Sequence, residues 1–428
     1  MTSLPFSTIR KYVIFIALLI LAGGIGYNLG QRKTTIGVGP DKRIILNQET
    51  PKNTSVDFSL FWDVWQRMHR YYIDAAVLDT QKMVWGAITG MVSASGDPYT
   101  VFLPPKENKE FKEDLGGEFE GIGAQLGMKD NRIIVIAPLK GTPAARAGIK
   151  PGDYILKVND EETVSWTVPQ AVTKIRGKRG TTVTLNILHE NSQKPIDLAI
   201  VRDTILVPSV EMWAKKVGEI TEIGGLTDAG KFDQTKMIAY LRLSRFGDHT
   251  NDDWDKAVSE ILSVKQNNGG TLAGLVFDLR NNPGGYLEGS VFIASEFIKN
   301  GIIVSQKNSD NTKEDYAVDK KGKLLDIPLV VLVNKGSASA AEIVAGALRD
   351  YKRATIVGET TFGKGSVQTP FDLTGGAGLH ITTGKWLLPK GDSIAKVGVS
   401  PDVEVKLDDT TTATTDAQLA KAIELLLK

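Results

Sequence analysis

The sequence predicts a multidomain α+β protein with a helical N-terminal part, a glycine-punctuated β region and a layered α/β region at its C-terminal end. Three observations predict this class: apolar side chains at helical spacing after residue 60, short strands between glycines in residues 116–202, and alternating strands and helices from residue 204 onward. With 428 residues the chain has room for about two to four domains. We therefore expect more than one hydrophobic core.

Charge and cysteine content exclude several classes of function. The 51 basic and 50 acidic side chains give a net charge of +1, so no electrostatic attraction favours a nucleic acid. The absence of cysteine excludes disulfides and thiol catalysis. We therefore expect no nucleic-acid partner and a catalytic group other than a thiol.

The N-terminal segment, residues 1–31, combines a short stub with an uncharged apolar run. The run begins at Tyr12 as YVIFIALLILA and stays uncharged to Gln31, directly after Arg10 and Lys11. About 20 uncharged residues can span a bilayer, and the preceding positive charges favour a cytoplasmic N-terminus. We expect a single-pass anchor in the cell membrane, with the rest of the chain on the extracytoplasmic side, periplasmic or extracellular. A cleaved signal peptide is the alternative, because small residues follow the apolar core.

The next segments predict a linker and a helical region. Residues 32–54 are polar with scattered glycine and proline, which favours a linker, and residues 55–114 form the helical region. A second helix is predicted over residues 81–94, before a Gly-Asp-Pro-Tyr turn at residues 96–99. In the first helix the following apolar residues recur at helical spacing and are expected to face a core: Phe61, Val64, Trp65, Met68 and Tyr72.

The rest of the chain predicts one β-rich and one α/β segment. In residues 116–202, strands are predicted at 133–136 and 183–188, with a helix over 168–175 between them. Strands at 238–243, 274–280, 327–333 and 354–358 then alternate with a helix over 252–264, and a final helix covers 416–427. This alternation predicts a layered α/β core.

A serine lies where a predicted strand passes into a predicted helix. The first turn of a helix has unpaired N–H groups and a positive dipole end, which can hold an anion beside Ser337 or Ser339. Serine needs a base, and none of the four histidines lies in this stretch. Lys364, between two glycines, can serve if its pKa is lowered. On these residues alone, N-capping by the serines and a solvated loop position for Lys364 remain the alternatives.

Residues 358–364, GETTFGK, match most of a phosphate-binding P-loop. Gly365 stands where the magnesium-binding hydroxyl should be, and the residues that follow predict a strand rather than a helix. We therefore reject a phosphate site here.

Two runs of this region resemble the signature of the carboxy-terminal processing peptidases, also called tail-specific proteases. The runs are NKGSASAAEI at 334–343 and VGETTFGKGSVQ at 357–368, and the resemblance extends from about Phe61 to the C-terminus. It implies Ser339 as the nucleophile, Lys364 as the base and Gln368 as the residue that orients the lysine. Ala341, where the family commonly has serine, is a departure that lies outside this dyad.

The same resemblance implies further architecture and chemistry. It implies a crotonase-like catalytic domain over residues 206–428, closed by the C-terminal helix. It also implies the N–H groups of Gly284 and Ala340 as donors to the oxyanion of acyl transfer. Family members can dimerise through the helical region, so a homodimer is an expectation. The mechanism requires no metal and no organic cofactor.

A second resemblance, to PDZ domains, rests on GTPAARAGI at 141–149 and PGDYI at 151–155. It implies a PDZ domain over residues 115–205. Its carboxylate-binding loop would be Gly121, Ile122, Gly123 and Ala124, where successive N–H groups hold a peptide C-terminus. Taken alone, Gly-Ile-Gly is more typical of a turn. Arg176, in a short basic loop, is either a solvated turn residue or a sensor of bound substrate.

Three functions fit these residues. The first is a serine endopeptidase that binds substrate C-terminal tails, apolar ones in particular, through its PDZ domain and cleaves through an acyl-enzyme on Ser339. The others are a catalytically silent PDZ scaffold and a non-peptidase acyl hydrolase with the same dyad. The set of Ser339, Lys364 and Gln368 disfavours a scaffold, and the PDZ domain favours peptide as substrate. We therefore expect a membrane-anchored, tail-recognising serine protease that its PDZ domain gates.

Overall fold

The computed structural model describes residues 34–38, 44–48, 57–139, 141–189, 192–223, 233–269, 271–406 and 415–428. The chain divides into two compact units, Met1–Met83 and Val84–Lys428. The predicted anchor over residues 12–31, with its signal-peptide alternative, lies outside the described residues. Within the described ranges, no helix is long and apolar enough to cross a membrane.

The described part of the first unit contains a β-hairpin and a helix. The N-terminal elements are β1 Thr34–Val38, β2 Ile44–Gln48, α1 Ser59–Tyr71 and α2 Thr80–Ser93. Strands β1 and β2 pair antiparallel, so the predicted linker contains a hairpin that its polar composition did not indicate. Both predicted helices of the helical region are confirmed as α1 and α2.

Helix α1 does not show the predicted burial. Val64 is 52% exposed, Met68 37% and Tyr72 43%, and within the described structure α1 has no buried residue. The expectation that this apolar side lies in a core was therefore wrong. The periodicity of a sequence reports that a helix has an apolar side, but not which surface covers it.

A domain built on one antiparallel sheet follows α2. Its elements, with those that flank it, are β3 Val101–Leu103, α3 Pro105–Gly116, β4 Glu118–Gly121, β5 Ala124–Lys129, β6 Arg132–Pro138, α4 Pro143–Arg146, β7 Tyr154–Val158, β8 Glu161–Glu162, α5 Val168–Ile175, β9 Thr182–Leu188, β10 Ile196–Val201 and β11 Asp203–Leu206. The strand order is β10-β9-β7-β6-β5, with β8 on β7. Alternate residues of β9, namely Val183, Leu185 and Ile187, are fully buried in its core. Strand β5 is an edge of this sheet and contacts α5.

The larger part of the second unit is a mostly parallel sheet between two layers of helices. Its elements are β12 Val210–Lys216, β13 Met237–Leu243, α6 Thr250–Asn267, β14 Gly274–Asp278, α7 Leu287–Ser295, β17 Leu329–Val333, α8 Ala340–Asp350, β18 Thr355–Gly358, β21 Val403–Glu404 and α9 Ala417–Leu427. The order is β12-β13-β14-β17-β18-β21, and β12 alone of these pairs antiparallel. The predicted layered α/β core is confirmed.

Both faces of this sheet are covered, because successive strand residues point to opposite sides. Leu275 and Phe277 of β14 pack in the core that includes α6, α7 and α8. Val276, between them, packs in the core that includes Leu419 and Ile423 of α9. A strand buried on both faces has a continuous apolar sequence, which explains the runs at 274–278 and 329–333.

A second sheet lies within the same unit. It is formed by β15 Ile302–Asn308, β16 Lys313–Ala317, β19 Ser366–Asp372 and β20 Gly378–Leu387. The order is β16-β15-β20-β19, and β3 pairs antiparallel with β20. A strand that precedes the antiparallel domain in sequence therefore belongs to the sheet that carries Gln368.

Candidate active site

The predicted nucleophile lies in a sharp turn between β17 and α8. Ser339 is the residue directly before the helix, which begins at Ala340. Its φ of +56° and ψ of −118° lie outside the regions that non-glycine residues normally occupy. Strained angles of this kind cluster at functional sites, and a strained strand-to-helix turn presents the nucleophile in many serine hydrolases. The backbone therefore favours Ser339 as a functional residue.

Ser337, the other candidate serine, has a structural role. Its side chain is fully buried. Its hydroxyl donates to the carbonyl oxygen of Leu279 at 2.8 Å and accepts from the N–H of Asn334 at 3.0 Å. These bonds fasten the turn to the end of β14. Ser339, by contrast, is the N-cap residue of α8 and forms a capping box with Glu342, whose carboxylate accepts from the Ser339 N–H.

A buried carboxylate joins the serine turn to the lysine loop. Glu342, in the first turn of α8, is fully buried. One carboxylate oxygen accepts from the N–H groups of Ser339 and Lys364, both at 2.9 Å. The other accepts from the N–H of Gly363 at 2.7 Å and from the hydroxyl of Thr361. Sequence reasoning missed Glu342, although serine followed three residues later by glutamate is the capping-box pattern.

Lys364 is half-buried in the loop between β18 and β19. Burial lowers its pKa, and the negative charges of Asp97 and Glu342 oppose this shift without cancelling it. A lowered pKa increases the fraction of neutral amine near neutral pH, the form that can accept a proton. Ser339 and Lys364 both lie in the described part of the chain, and their side chains form no hydrogen bond with each other. Instead, the backbone N–H groups of both residues donate to the Glu342 carboxylate.

Gln368, predicted to orient the lysine, bonds to two hydroxyl groups of its own sheet. It lies on β19, and its side-chain amide donates to the hydroxyl of Ser366 at 2.8 Å and to that of Thr382 at 3.4 Å. Thr382 is on the neighbouring strand β20. The structure therefore places Gln368 in the same sheet region as Lys364 but shows no hydrogen bond between the two described side chains.

The two predicted oxyanion donors lie beside Ser339. Gly284 has φ +100°, and a Cβ there would lie 2.7 Å from Cβ of Ser339 and 3.0 Å from the nitrogen of Ala340, so glycine is required. Ala340 is the first residue of α8, where the N–H has no partner within the helix. In this structure the N–H of Gly284 donates to Oδ1 of Asn282 at 2.8 Å. One of the two donors is thus already engaged.

Asn282 is a second residue that sequence reasoning missed. It is fully buried, its side-chain amide donates to the carbonyl oxygen of Leu243, and its own carbonyl oxygen accepts from the N–H of Ala338. It therefore holds the turn of Gly284 against the turn of Ser339. No local pattern indicated this role, because its partners are 39 and 56 residues away in sequence.

The predicted carboxylate-binding loop leads from β4 into the edge strand β5. Ile122 is buried, and its carbonyl oxygen accepts from the N–H of Ala144 at 2.8 Å. Gly123 has φ +77°, and a Cβ there would lie 2.5 Å from Cβ of Thr142, whose hydroxyl donates to the Gly123 carbonyl oxygen. Gly121 ends β4 and Ala124 begins β5. The loop is thus rigid and opens onto a strand edge that a peptide can extend.

Arg176, the candidate sensor, lies at the junction of α3, β4 and α5. Its guanidinium carbon is 4.3 Å from the centre of the Phe119 ring, and a guanidinium nitrogen is 3.9 Å from Oε2 of Glu113 on α3. It is therefore packed against neighbouring elements and is not a free loop residue. Its side chain lies beside Gly121 of the carboxylate-binding loop and also faces Glu113 of α3.

Two family models match parts of this chain. The model of peptidase family S41 matches residues 237–405, and the model of the PDZ domain matches residues 110–188. The first range contains Ser339, Lys364 and Gln368, and the second contains Gly121–Ala124 and Arg176.

Individual proteins give similar matches. The carboxy-terminal-processing protease of Bartonella bacilliformis is 36% identical over 402 residues, which cover 93% of this chain and 83% of that protein. The carboxy-terminal processing protease CtpB of Bacillus subtilis is 36% identical over 335 residues, which cover 78% of this chain and 65% of that protein. The crystal structure of a putative S41 protease from Bacteroides fragilis superposes with a TM-score of 0.53 at 18% identity, covering 89% of this chain and all of that one. At this identity the likeness concerns the fold alone.

Proposed function

Because this chain belongs to the carboxy-terminal-processing proteases, S41 serine peptidases with a PDZ domain, we propose that Ser339 and Lys364 are its catalytic dyad. The observation that carries the proposal is the shared contact with Glu342. One buried carboxylate accepts hydrogen bonds from the backbone N–H of both residues, so the serine turn and the lysine loop are held at a fixed separation. The lowered pKa of Lys364, caused first by burial, supplies a base.

The proposed reaction runs through an acyl-enzyme. Neutral Lys364 takes the proton of the Ser339 hydroxyl while the serine oxygen attacks the peptide carbonyl carbon. The N–H of Ala340, with that of Gly284, stabilises the negative oxygen of the tetrahedral intermediate. The Lys364 ammonium then protonates the leaving amine, and the peptide C–N bond breaks. A water molecule, deprotonated by Lys364, hydrolyses the ester and restores Ser339.

We propose that the observed arrangement is a resting state. The Gly284 N–H is engaged by Asn282, and the Ser339 and Lys364 side chains are not hydrogen-bonded to each other. Catalysis requires both arrangements to change, and a bound substrate supplies the free energy through contacts that exist only in the active state. The PDZ loop at Gly121–Ala124 binds the substrate's terminal carboxylate, and Arg176 couples that event to α3.

The test uses the full chain in detergent with a loosely folded protein that ends in an apolar C-terminus. We expect cleavage by the parent chain, no cleavage by Ser339→Ala or Lys364→Ala, and retained cleavage by the folded fraction of Ser337→Ala. The same substrate with an amidated C-terminus controls for tail recognition and is cleaved more slowly. Tail-dependent binding without cleavage by the parent would favour the scaffold. Cleavage of small acyl esters but of no protein would favour the acyl hydrolase.

We further propose that residues 12–31 anchor the protein in the cell membrane with the catalytic part on the extracytoplasmic side. The uncharged apolar run and the preceding Arg10 and Lys11 support this. Fractionation of cells expressing the full chain tests it: recovery with the membrane, and digestion of the catalytic part by protease added from outside the cytoplasm, are expected. Release as a shortened soluble chain would favour a cleaved signal peptide.

We also propose that the helical region pairs with a second copy of this chain. The exposed apolar side of α1 supports it, since Val64 is 52% exposed and Met68 37%. Sedimentation of the full chain in detergent, compared with Val64→Glu, tests the proposal. A parent that sediments as a monomer would contradict it.

A further inference from the structure

The turn at Asp97–Thr100, between α2 and β3, lies next to the proposed base. Strand β3 pairs with β20 in a defined register, with Val101 opposite His380 and Phe102 opposite Leu379. This pairing places the turn beside the second sheet, close to the loop that carries Lys364. The turn therefore belongs to the surroundings of the base although it precedes the PDZ domain in sequence.

The first contact is made by Tyr99. The Nζ atom of Lys364 lies over the face of the Tyr99 ring, 5.3 Å from its centre. Both side chains are half-buried. The face of an aromatic ring carries negative potential, so this contact favours the ammonium form of the lysine over the neutral amine.

The second contact is a chain of hydrogen bonds. The Asp97 carboxylate accepts from the N–H of Tyr99 at 3.1 Å and from the hydroxyl of Thr100 at 2.7 Å. The Thr100 hydroxyl oxygen accepts from the N–H of Thr382 at 3.1 Å, and the Thr382 hydroxyl accepts from the amide of Gln368. One turn thus contacts the proposed base directly and reaches Gln368 through Thr382.

The charged and titratable groups that face Lys364 come from three elements: the Asp97–Thr100 turn, α8 and β20. Asp97, from the turn, and Glu342, from α8, favour its ammonium form. His380, from β20, packs edge-on against Phe111 of α3 at 4.6 Å. Burial lowers the His380 pKa first, and the positive charge of Lys364 lowers it further. His380 therefore adds little positive charge near neutral pH, and among the described residues the carboxylates that act on the lysine are Asp97 and Glu342.

We propose that Asp97 and Tyr99 are positioning residues for the proposed base, and that they stabilise the ammonium of Lys364 that forms when the lysine takes the Ser339 proton. This inference rests on the proposed dyad. The ammonium exists in the tetrahedral intermediate and is the group that protonates the leaving amine. A carboxylate and a ring face beside it lower the free energy of that state, as a buried carboxylate does for the imidazolium of a Ser-His-Asp triad.

The same contacts also act on the protonation of Lys364 in the free enzyme, and the direction of their effect is defined. They favour protonated Lys364, so removing them increases the neutral fraction at a given pH. In Asp97→Asn, the rising limb of kcat/KM against pH therefore shifts to lower pH while the plateau at high pH falls. A residue that merely stabilised the fold would lower the plateau without moving the limb.

The aromatic contact has its own prediction. Tyr99→Phe keeps the ring and retains the plateau, whereas Tyr99→Leu lowers it about two- to fivefold, the rate factor that corresponds to a surface cation–π contact. Asp315→Asn, which removes a carboxylate from the same sheet without touching the turn, is the matched control and leaves the profile unchanged.

The experiment measures the rate of Ser339 phosphonylation by a small fluorophosphonate across pH, in the full chain, beside peptide cleavage. An apolar-tailed peptide is present at saturating concentration throughout, so the PDZ loop is occupied and the resting arrangement proposed above does not limit labelling. If the parent is not labelled, or Lys364→Ala is labelled as fast as the parent, the proposed dyad itself fails. If the parent shows a rising limb that Lys364→Ala abolishes, but Asp97→Asn and Tyr99→Leu both leave limb and plateau unchanged, the dyad stands and this inference is refuted.

Discussion

Replacing Glu342 by glutamine tests whether one carboxylate holds the proposed site together. In the structure each carboxylate oxygen accepts two hydrogen bonds, one oxygen from Ser339 and Lys364, the other from Gly363 and Thr361. A glutamine keeps one of these oxygens and places an NH₂ group at the other. If the NH₂ replaces the first oxygen, it faces two N–H donors. If it replaces the second, the N–H of Gly363 loses its partner.

The expected loss of stability follows from the hydrogen bonds that the substitution removes. A buried donor without a partner costs about 1–3 kcal/mol, so we expect Glu342→Gln to lower the free energy of unfolding by at least about 1 kcal/mol. The effect on activity is larger, because misplacing a catalytic group by about 1 Å can cost about 100-fold in rate. Relaxation of either loop displaces Ser339 or Lys364 by moving its own backbone N–H.

Two assays check both numbers. Urea unfolding of the full chain in detergent gives the free energy, and kcat/KM for a protein with an apolar C-terminus gives the activity. Glu404→Gln makes the same charge change at an exposed position of β21 and should match the parent in both. A Glu342→Gln variant with parental stability and parental kcat/KM would refute the reasoning, since the hydrogen bonds would then carry neither the fold nor the site.

Three further predictions concern other contacts. Ser337→Ala leaves the buried N–H of Asn334 unpaired and removes one of the two donors to the Leu279 carbonyl oxygen, so we expect a loss of about 1–3 kcal/mol in urea unfolding with kcat of the folded fraction retained. Gly123→Ala forces a Cβ against Thr142 at a positive φ, whereas Gly141→Ala has nearly the same φ and open space; only the former should abolish binding of an apolar-tailed peptide in calorimetry. Burial alone would raise the pKa of Asp416, but the hydrogen bond and charge of Arg280 lower it. Its stabilising contribution is present above the usual aspartate range and is lost as pH falls through the folded-state pKa, so Asp416→Asn should flatten the acid side of the stability curve.

The sequence predicted the elements that carry the site because their signals are local. The continuous apolar run of β17 and the small-residue turn that follows it predict a strand that enters a helix, and they placed Ser339 correctly at the junction. The glycines on both sides of Lys364 marked its loop. The family resemblance implied Ser339 rather than Ser337 as the nucleophile. The structure adds a physical reason, because the buried and hydrogen-bonded Ser337 hydroxyl has a structural role.

What the sequence could not predict depends on distant partners. The contact between Tyr99 and Lys364 joins residues separated by the entire PDZ domain, and the bond from Asn282 to Leu243 joins the ends of two adjacent strands. Hydrophobic periodicity contains no information on such pairs. The prediction that the apolar side of α1 is buried failed for the same reason. The pattern shows that the helix is amphipathic, but it does not show which surface covers the apolar side.

The ladder between β4 and β11 determines how the PDZ domain is attached. The chain enters the domain along β4 and leaves it along β11, and the two strands pair in register from Gly121 opposite Asp203 to Glu118 opposite Leu206. The N–H of Val207 continues the ladder by donating to the carbonyl oxygen of Gly117. The domain is therefore an insertion attached through a two-stranded stem, not a domain joined to its neighbours by single flexible linkers. Both covalent connections of the domain therefore pass through this stem, and α3 ends at Gly116, directly before the stem begins at Gly117.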